Sequence, residues 1–326
     1  MEETTPHEFR TNAGGLNQSF LRVREEIGKV IIGQHQMIDF LMAAILADGH
    51  VLIEGVPGVA KTLTAKLLAR TIDVGFSRIQ FTPDLMPSDV LGTSVFNPQN
   101  ATFQFKHGPV FSNIILIDEI NRSPAKTQAA LFEVMEEKQM TFDGITHQMP
   151  APFMVLATQN PVEHEGTYRL PEAQLDRFMF KVLVNYPTLE EEIRILHNTH
   201  EGKTTHFQDI VQKVLTASAI EEFRKQAAGV HIEPKVLEYI ALIIHETRNN
   251  KSLYLGASPR ASVAVLKGAK AFAIMSGRDF VTPDDVIAVI PAVLRHRIIL
   301  TPEKEMEGVS PDDIIETILK KVEVPR

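Results

Sequence analysis

The sequence has no cysteine and no tryptophan among its 326 residues. Disulfide staples, thiolate metal centres and a cysteine nucleophile are therefore excluded. Apolar runs are short, and none approaches the ~20 residues that a membrane span requires. There are no internal repeats and no low-complexity stretch. Positive charge is in the minority: 33 Lys and Arg stand against 41 Asp and Glu, a formal net charge of -8. That balance argues against a protein that coats nucleic acid, without excluding a local basic channel. The opening, Met1-Glu2-Glu3-Thr4-Thr5, is acidic and polar, unlike a signal peptide, so a soluble cytoplasmic protein is the expected class. What is present is ordinary for a globular chain: 44% hydrophobic and 23% charged, enough for one large domain and a smaller one.

Five short apolar runs, Val51–Ile53, Phe76–Phe81, Ile114–Ile117, Phe153–Ala157 and Met179–Val184, alternate with stretches of helical spacing. Such alternation predicts an α/β domain, a parallel sheet sandwiched by helices. Two hairpins are expected as inserts. One turns at Asn97–Asn100, the other at Asp143-Gly144, a strong two-residue signal. From Glu190 onward only helices are expected. Ser258-Pro259, Thr282-Pro283 and Ser310-Pro311 each place a cap residue before a first-turn proline. The expected organisation is a flexible arm over residues 1–17, an α/β domain over 18–187 and a helical domain over 188–326.

The most informative segment follows Val51-Leu52-Ile53. Glu54-Gly55-Val56-Pro57-Gly58-Val59-Ala60-Lys61-Thr62 is a glycine-rich turn that closes on Lys-Thr and enters a helix at Leu63. A strand, such a turn and a helix together make a phosphate cradle. Lys61 would reach the β- and γ-phosphates, and the Thr62 hydroxyl would hold Mg2+. Ala60 stands where glycine is usual. Its methyl is harmless if the backbone there is helical, and not if φ is positive.

Ile114-Ile115-Leu116-Ile117-Asp118-Glu119 reads as a strand buried on both faces that ends in two acids. Open α/β sheets bind ligands at this end. Asp118 would hold Mg2+ through water, and Glu119 would take the proton of an attacking water. The adjacent Glu suggests ATP hydrolysis. Asn250-Lys251-Ser252-Leu253 lacks the Asp that guanine recognition needs. Asn160, after a second buried strand, is placed to bond the γ-phosphate or orient water. Arg260 follows Ser258 in a first helical turn, where a cation is disfavoured by roughly 0.3–1 kcal/mol unless an anion is near. Arg177 is placed to reach a phosphate on a neighbouring subunit, or else to pair locally with Asp176 or Glu172. Arg169 and Arg122 are weaker candidates of the same kind.

This ordered set resembles the AAA+ ATPases, and within them the MoxR group. The likeness runs from about Val30 to Arg297 and includes Val30-Ile31-Ile32-Gly33-Gln34, Gly55 to Thr62, Ile117-Asp118-Glu119-Ile120-Asn121-Arg122, Thr158-Gln159-Asn160-Pro161, Leu170 to Phe178 and Ser258-Pro259-Arg260. Phe81 to Gly92 looks like the helix-2 insertion shared with Mg-chelatase and replicative-helicase relatives. The Asp143-Gly144 hairpin looks like their pre-sensor hairpin. The resemblance implies a P-loop fold with a helical lid. It implies ATP and Mg2+ as cofactors. Ile31, Ile32 and Gly33 would lie at the adenine. Gly55, Val56, Pro57, Gly58, Val59, Ala60, Lys61, Thr62 and Leu63 would form Walker A and its helix start. Asp118 and Glu119 would form Walker B, with Asn160 as sensor 1, Arg177 as arginine finger and Arg260 as sensor 2. It further implies hexameric rings, chaperone-like maturation, assembly or metallation of protein clients, and partners carrying a von Willebrand factor A domain.

Two other classes compete. A DNA-dependent motor would want Lys or Arg at the hairpin tips, but Asn97–Asn100 and Phe142–Ile145 carry none. A scaffold without turnover would not need Glu119 and Arg177. His197, His200 and His206 lack acidic ligands at fixed spacing and read as surface histidines, and Glu163-His164-Glu165 reads as a solvated loop. Phe96, Phe103 and Phe105 read as hairpin packing more than substrate grip. Arg295-His296-Arg297 is too small for a nucleic-acid patch.

Overall fold

A computed structural model describes residues 6–160, 170–201 and 210–325, with side chains from Gly14 onward. The central sheet holds β1 (Val51–Gly55), β2 (Phe76–Gln80), β5 (Ile114–Asp118), β8 (Met154–Gln159) and β9 (Phe180–Val184), in the order β2-β5-β8-β1-β9. All four neighbouring pairs are parallel. The five apolar runs of the sequence are thus the five strands. Their period of two divides the interior. Val51 and Ile53 join Leu116 and Leu156 in one core, while Leu52 joins Ile117 and Val155 in the other. The first core is covered by α1 (Pro6–Gly28), α2 (His35–Leu46) and α3 (Lys61–Thr71), the second by α5 (Ala125–Glu137).

Both expected hairpins form. After the short α4 (Pro87–Leu91), β3 (Gly92–Asn97) pairs antiparallel with β4 (Thr102–His107). Between α5 and β8, β6 (Gln139–Phe142) pairs with β7 (Ile145–Gln148) around Asp143 and Gly144, at φ 49° and 78°. Two positive φ values match the strand twist, which is why Asp-Gly serves here.

The expected loose arm is corrected. Residues 1–5 lie outside the described residues, but Pro6–Gly28 is one helix. Leu16, Phe20, Val23 and Ile27 make a buried stripe at helical spacing, and the Asn17 amide donates to the Met275 carbonyl at 2.5 Å. Gly14-Gly15 only lowers local propensity, and burial of the stripe outweighs it.

Beyond the four-residue α6 (Glu172–Leu175) and β9 the chain is mainly helical: α7 (Leu189–His200), α8 (Ala217–Gly229), α9 (Pro234–Asn249), α10 (Pro259–Met275), α11 (Pro283–Leu294), α12 (Pro302–Met306) and α13 (Pro311–Lys321). Ser258, Thr282 and Ser310 are the N-caps of α10, α11 and α13, each with proline in the first turn. One departure is a small ribbon, β10 (Leu253–Leu255) with β11 (Ile299–Leu300). Elements of two and three residues are too short to show a period. The helical part packs onto β9: Phe40 on α2 has its ring 5.0 Å from Phe180 and 5.2 Å from Phe272. Arg297 closes the junction from inside, with Nε 2.6 Å from Asp176 Oδ1 and NH2 donating to the Phe178 carbonyl at 2.7 Å. The basic triplet is therefore a buried clamp rather than a surface patch.

Candidate nucleotide site

β1 ends at Gly55 and α3 begins at Lys61. Gly55 lies so close to β9 that a Cβ on it would stand 2.5 Å from the Val184 carbonyl oxygen. Gly58 is needed for a different reason, a φ of +87°, and a Cβ there would meet nothing within 4 Å. That flank of the loop is open to a ligand. Ala60 enters α3 at φ 59°, ψ 20°. The condition for a harmless methyl is not met: Ala60 holds a glycine-type conformation, at a cost of about 1–2 kcal/mol. Nor does Ala60 cap the helix with a side chain. The first backbone bond of α3 runs from the Thr64 N–H to the Ala60 carbonyl at 2.9 Å. Earlier amides have no carbonyl one turn back, and an anion is their natural acceptor. Lys61 Nζ donates to the Gly55 carbonyl at 2.5 Å. Burial pushes this ammonium below the ordinary lysine value, while Asp118, Glu119 and Glu54 pull it back up.

Gly58, Lys61 and Thr62 share a cavity of about 410 Å³ with Asp118, Glu119 and Asn160. Asp118 and Glu119 leave the C-terminal end of β5, and Thr158 on β8 ties them together. Its hydroxyl donates to Asp118 Oδ1 at 3.2 Å and accepts the Glu119 N–H at 3.0 Å. Asp118 Oδ2 accepts from Arg78 Nε at 2.6 Å. Glu119 turns out of the strand at φ 58°. Its carboxylate accepts from Gln80 Nε2 at 2.9 Å and faces Arg122 NH1 at 3.2 Å. A larger cavity, about 780 Å³, lies beyond Asn160 against Lys181, Arg295 and the start of α13. It lacks Gly58, Lys61 and Thr62, which meet the two acids in the smaller one.

Arg177 and Arg260 do not line the phosphate cavity. They stand together on Glu136, near the end of α5. Arg177 NH1 is 2.5 Å from Glu136 Oε2 and donates to the Phe132 carbonyl at 2.7 Å, and Arg260 NH2 is 3.2 Å from Glu136 Oε1. The anion beside Arg260 within its own chain is the Glu136 carboxylate, away from the cavity that holds Lys61. Asp176, one of the local partners considered for Arg177, is engaged by Arg297 and by the Ser258 hydroxyl at 3.1 Å. Arg122 is held by Glu119 of its own chain. Arg169, Glu163-His164-Glu165 and His206 lie outside the described residues.

A family model described as "ATPase family associated with various cellular activities (AAA)" matches residues 50–180, and one for the AAA lid domain matches residues 245–318. The chain is 44% identical to the uncharacterized protein YeaC of Bacillus subtilis, over 92% of this chain and 93% of that one. It is 43% identical to Chaperone MoxR1 of Mycobacterium tuberculosis, over 92% of this chain and 81% of the relative. A crystal structure described as a "putative ATPase" from Cytophaga hutchinsonii superposes with a TM-score of 0.89 at 44% identity, over 96% of this chain and 97% of that one. This chain belongs to the MoxR family of AAA+ ATPases. Membership makes it a chaperone-like nucleotide-binding protein, and no helix among its described residues is long and apolar enough to cross a membrane.

The residues present fit a magnesium-bound triphosphate. The MoxR-family loop offers an open glycine flank and an ammonium, and the Thr62 hydroxyl of α3 and the Asp118 carboxylate of β5, both hard oxygen donors, line one cavity with it. Ile31 and Ile32 are buried, 3% and 8% exposed, and line neither cavity described above. Gly33, at φ +71°, is covered by α7: a Cβ there would meet the Glu191 carboxylate at 2.6 Å. Three residues of the site escape a reading of the sequence: Arg78, Gln80 and Thr158. Arg78 and Gln80 reach the acids because β2 pairs with β5 in the register Gln80↔Asp118. The one sequence signal is the apolar, polar alternation of Arg78-Ile79-Gln80.

Proposed function

We propose that this protein hydrolyses ATP at interfaces between copies of itself, arranged in a ring, and couples the cycle to remodelling of protein clients. The observation that carries this reading is a divided constellation. Lys61, Thr62, Asp118, Glu119 and Asn160 gather on one cavity, while Arg177 and Arg260 gather elsewhere, on Glu136. Two guanidiniums on one carboxylate leave a net positive patch that needs an anion. A phosphate held by the next copy supplies it, as an arginine finger requires.

In this reading the loop amides and Lys61 hold the triphosphate. Thr62 and Asp118 hold Mg2+, which when bound offsets the charge of the phosphate oxygens. Glu119 takes the proton of the attacking water, and Asn160 orients that water or the γ-phosphate. Glu119 must leave Gln80 and Arg122 to reach that water, and Arg177 and Arg260 must leave Glu136 to reach a phosphate. The family supports protein clients. So do the inserted hairpins, whose exposed Phe96 and Phe103 rings pair at 5.3 Å and whose tips lack a basic residue. Partners with a von Willebrand factor A domain remain part of the proposal on resemblance alone.

The decisive experiment is Glu119→Gln. It removes the base and keeps the shape, so nucleotide binding should persist while turnover falls by about 10²–10⁴. Turnover at the parental rate would remove Glu119 from the role.

A further inference from the structure

The carboxylate assigned to the metal already carries a cation of the chain's own. Arg78 Nε is 2.6 Å from Asp118 Oδ2, and Thr158 takes Oδ1 at 3.2 Å, so both oxygens are engaged. Asp118 is almost fully buried, while the Arg78 side chain is 53% exposed. Arg78 lines the phosphate cavity with Lys61 and Thr62. Its only other side-chain tie among the described residues is weak: NH2 meets Gln80 Oε1 at 3.4 Å. It sits on β2, an edge strand of the sheet among the described residues. The guanidinium is therefore free to swing outward without breaking a core.

We infer that Arg78 is a placeholder for the metal. It neutralises Asp118 until the metal binds and is displaced from Oδ2 when Mg2+ arrives with the nucleotide. The inference rests on the reading of this cavity as the Mg2+–ATP site. Its physical reason is charge. A nearly buried carboxylate without a cation is costly, and a guanidinium and a divalent ion compete for the same oxygen. Arg78 then raises the magnesium concentration at which nucleotide binding becomes tight. The opposite arrangement, in which Arg78 aims Asp118 at the metal, predicts the opposite sign.

The test uses the full chain and a fluorescent, non-hydrolysed ATP analogue, titrated with Mg2+ from an EDTA baseline at fixed ionic strength. Parent, Arg78→Ala and Arg78→Gln are compared, with thermal denaturation to show that each is folded. The half-saturating Mg2+ concentration should fall by about three-fold or more in both variants, the scale of a half-exposed ion pair. Affinity in EDTA should not improve. A half-saturating concentration that stays the same or rises overturns the placeholder. A parent chain that binds the analogue without any dependence on Mg2+, or not at all, instead overturns the reading of the site.

Discussion

Ala60 shows how one methyl sets a cost that only the backbone reveals. A sequence says that alanine stands in the phosphate loop; it does not say that φ there is 59°. Left-handed alanine is strained, and glycine is not, although glycine surrenders more entropy on folding. The two effects differ by enough to decide the sign. Ala60→Gly should stabilise the protein by about 0.5–1 kcal/mol, read as a rise in denaturant midpoint at unchanged slope. A fall in midpoint would mean that the loop does not hold this conformation in solution. Gly55 is the contrasting case. Its φ is unremarkable, yet a Cβ would strike the Val184 carbonyl, so its glycine serves strand contact. Lys61, Thr62, Asp118 and Glu119 are legible from sequence because each motif is carried by neighbours in the chain. Arg78, Gln80 and Thr158 are not, because they reach the same carboxylates only across strands.

Strand and helix positions follow from apolar spacing, and a buried histidine shows what joins them. His50 precedes β1, and its side chain ties α5 to β8: Nδ1 accepts the Val155 N–H at 3.0 Å, so Nε2–H donates to the Met135 carbonyl at 3.0 Å. Both ring nitrogens are satisfied in the neutral form alone. Burial is the chief cause that lowers its pKa from 6.5 to about 4. The unfolded chain, with an ordinary histidine, binds the proton first as pH falls. Stability from His50 is complete above about pH 6.5 and is lost as pH falls toward 4. Between pH 7 and pH 5 this amounts to about 2 kcal/mol. His296, buried against the Phe178 carbonyl and beside Arg297, is shifted in the same direction. His50→Gln keeps a donor and an acceptor and cannot titrate there. Urea midpoints at the two pH values should therefore show a pH-dependent loss smaller in the variant by about 2 kcal/mol. Equal losses in both proteins would rule His50 out. No such tie is legible in the sequence, where His50 is one polar residue ahead of an apolar run. The first half of α1 is illegible for a related reason: its glycines suggest a loose arm, and only contact with α10 shows that Asn17, beside the buried Leu16, is anchored.

At the scale of the whole molecule the question is what one copy lacks. Its phosphate cavity holds the loop, both acids and Asn160, and neither Arg177 nor Arg260. Those two arginines share Glu136 on another part of the surface. A patch that fits a different patch on the next copy makes a head-to-tail contact, and such contacts close into rings when the rotation allows. The sequence names both arginines but cannot say whose phosphate they meet, since proximity to Glu136 is a property of the folded chain. Mixing variants decides it. Arg177→Ala keeps a complete cavity and donates no guanidinium; Glu119→Gln donates its guanidinium and lacks the base. Each alone should be nearly inactive. Mixed in equal amounts under exchange, a cavity of the first beside an arginine of the second is whole again, at about one interface in four by random head-to-tail assembly. Activity should return to roughly a quarter of the parental rate, with Arg260→Ala in place of Arg177→Ala giving the same rescue. If both mixtures stay as inactive as their components while the chains demonstrably co-assemble, the arginines act within their own chain and the divided site is wrong.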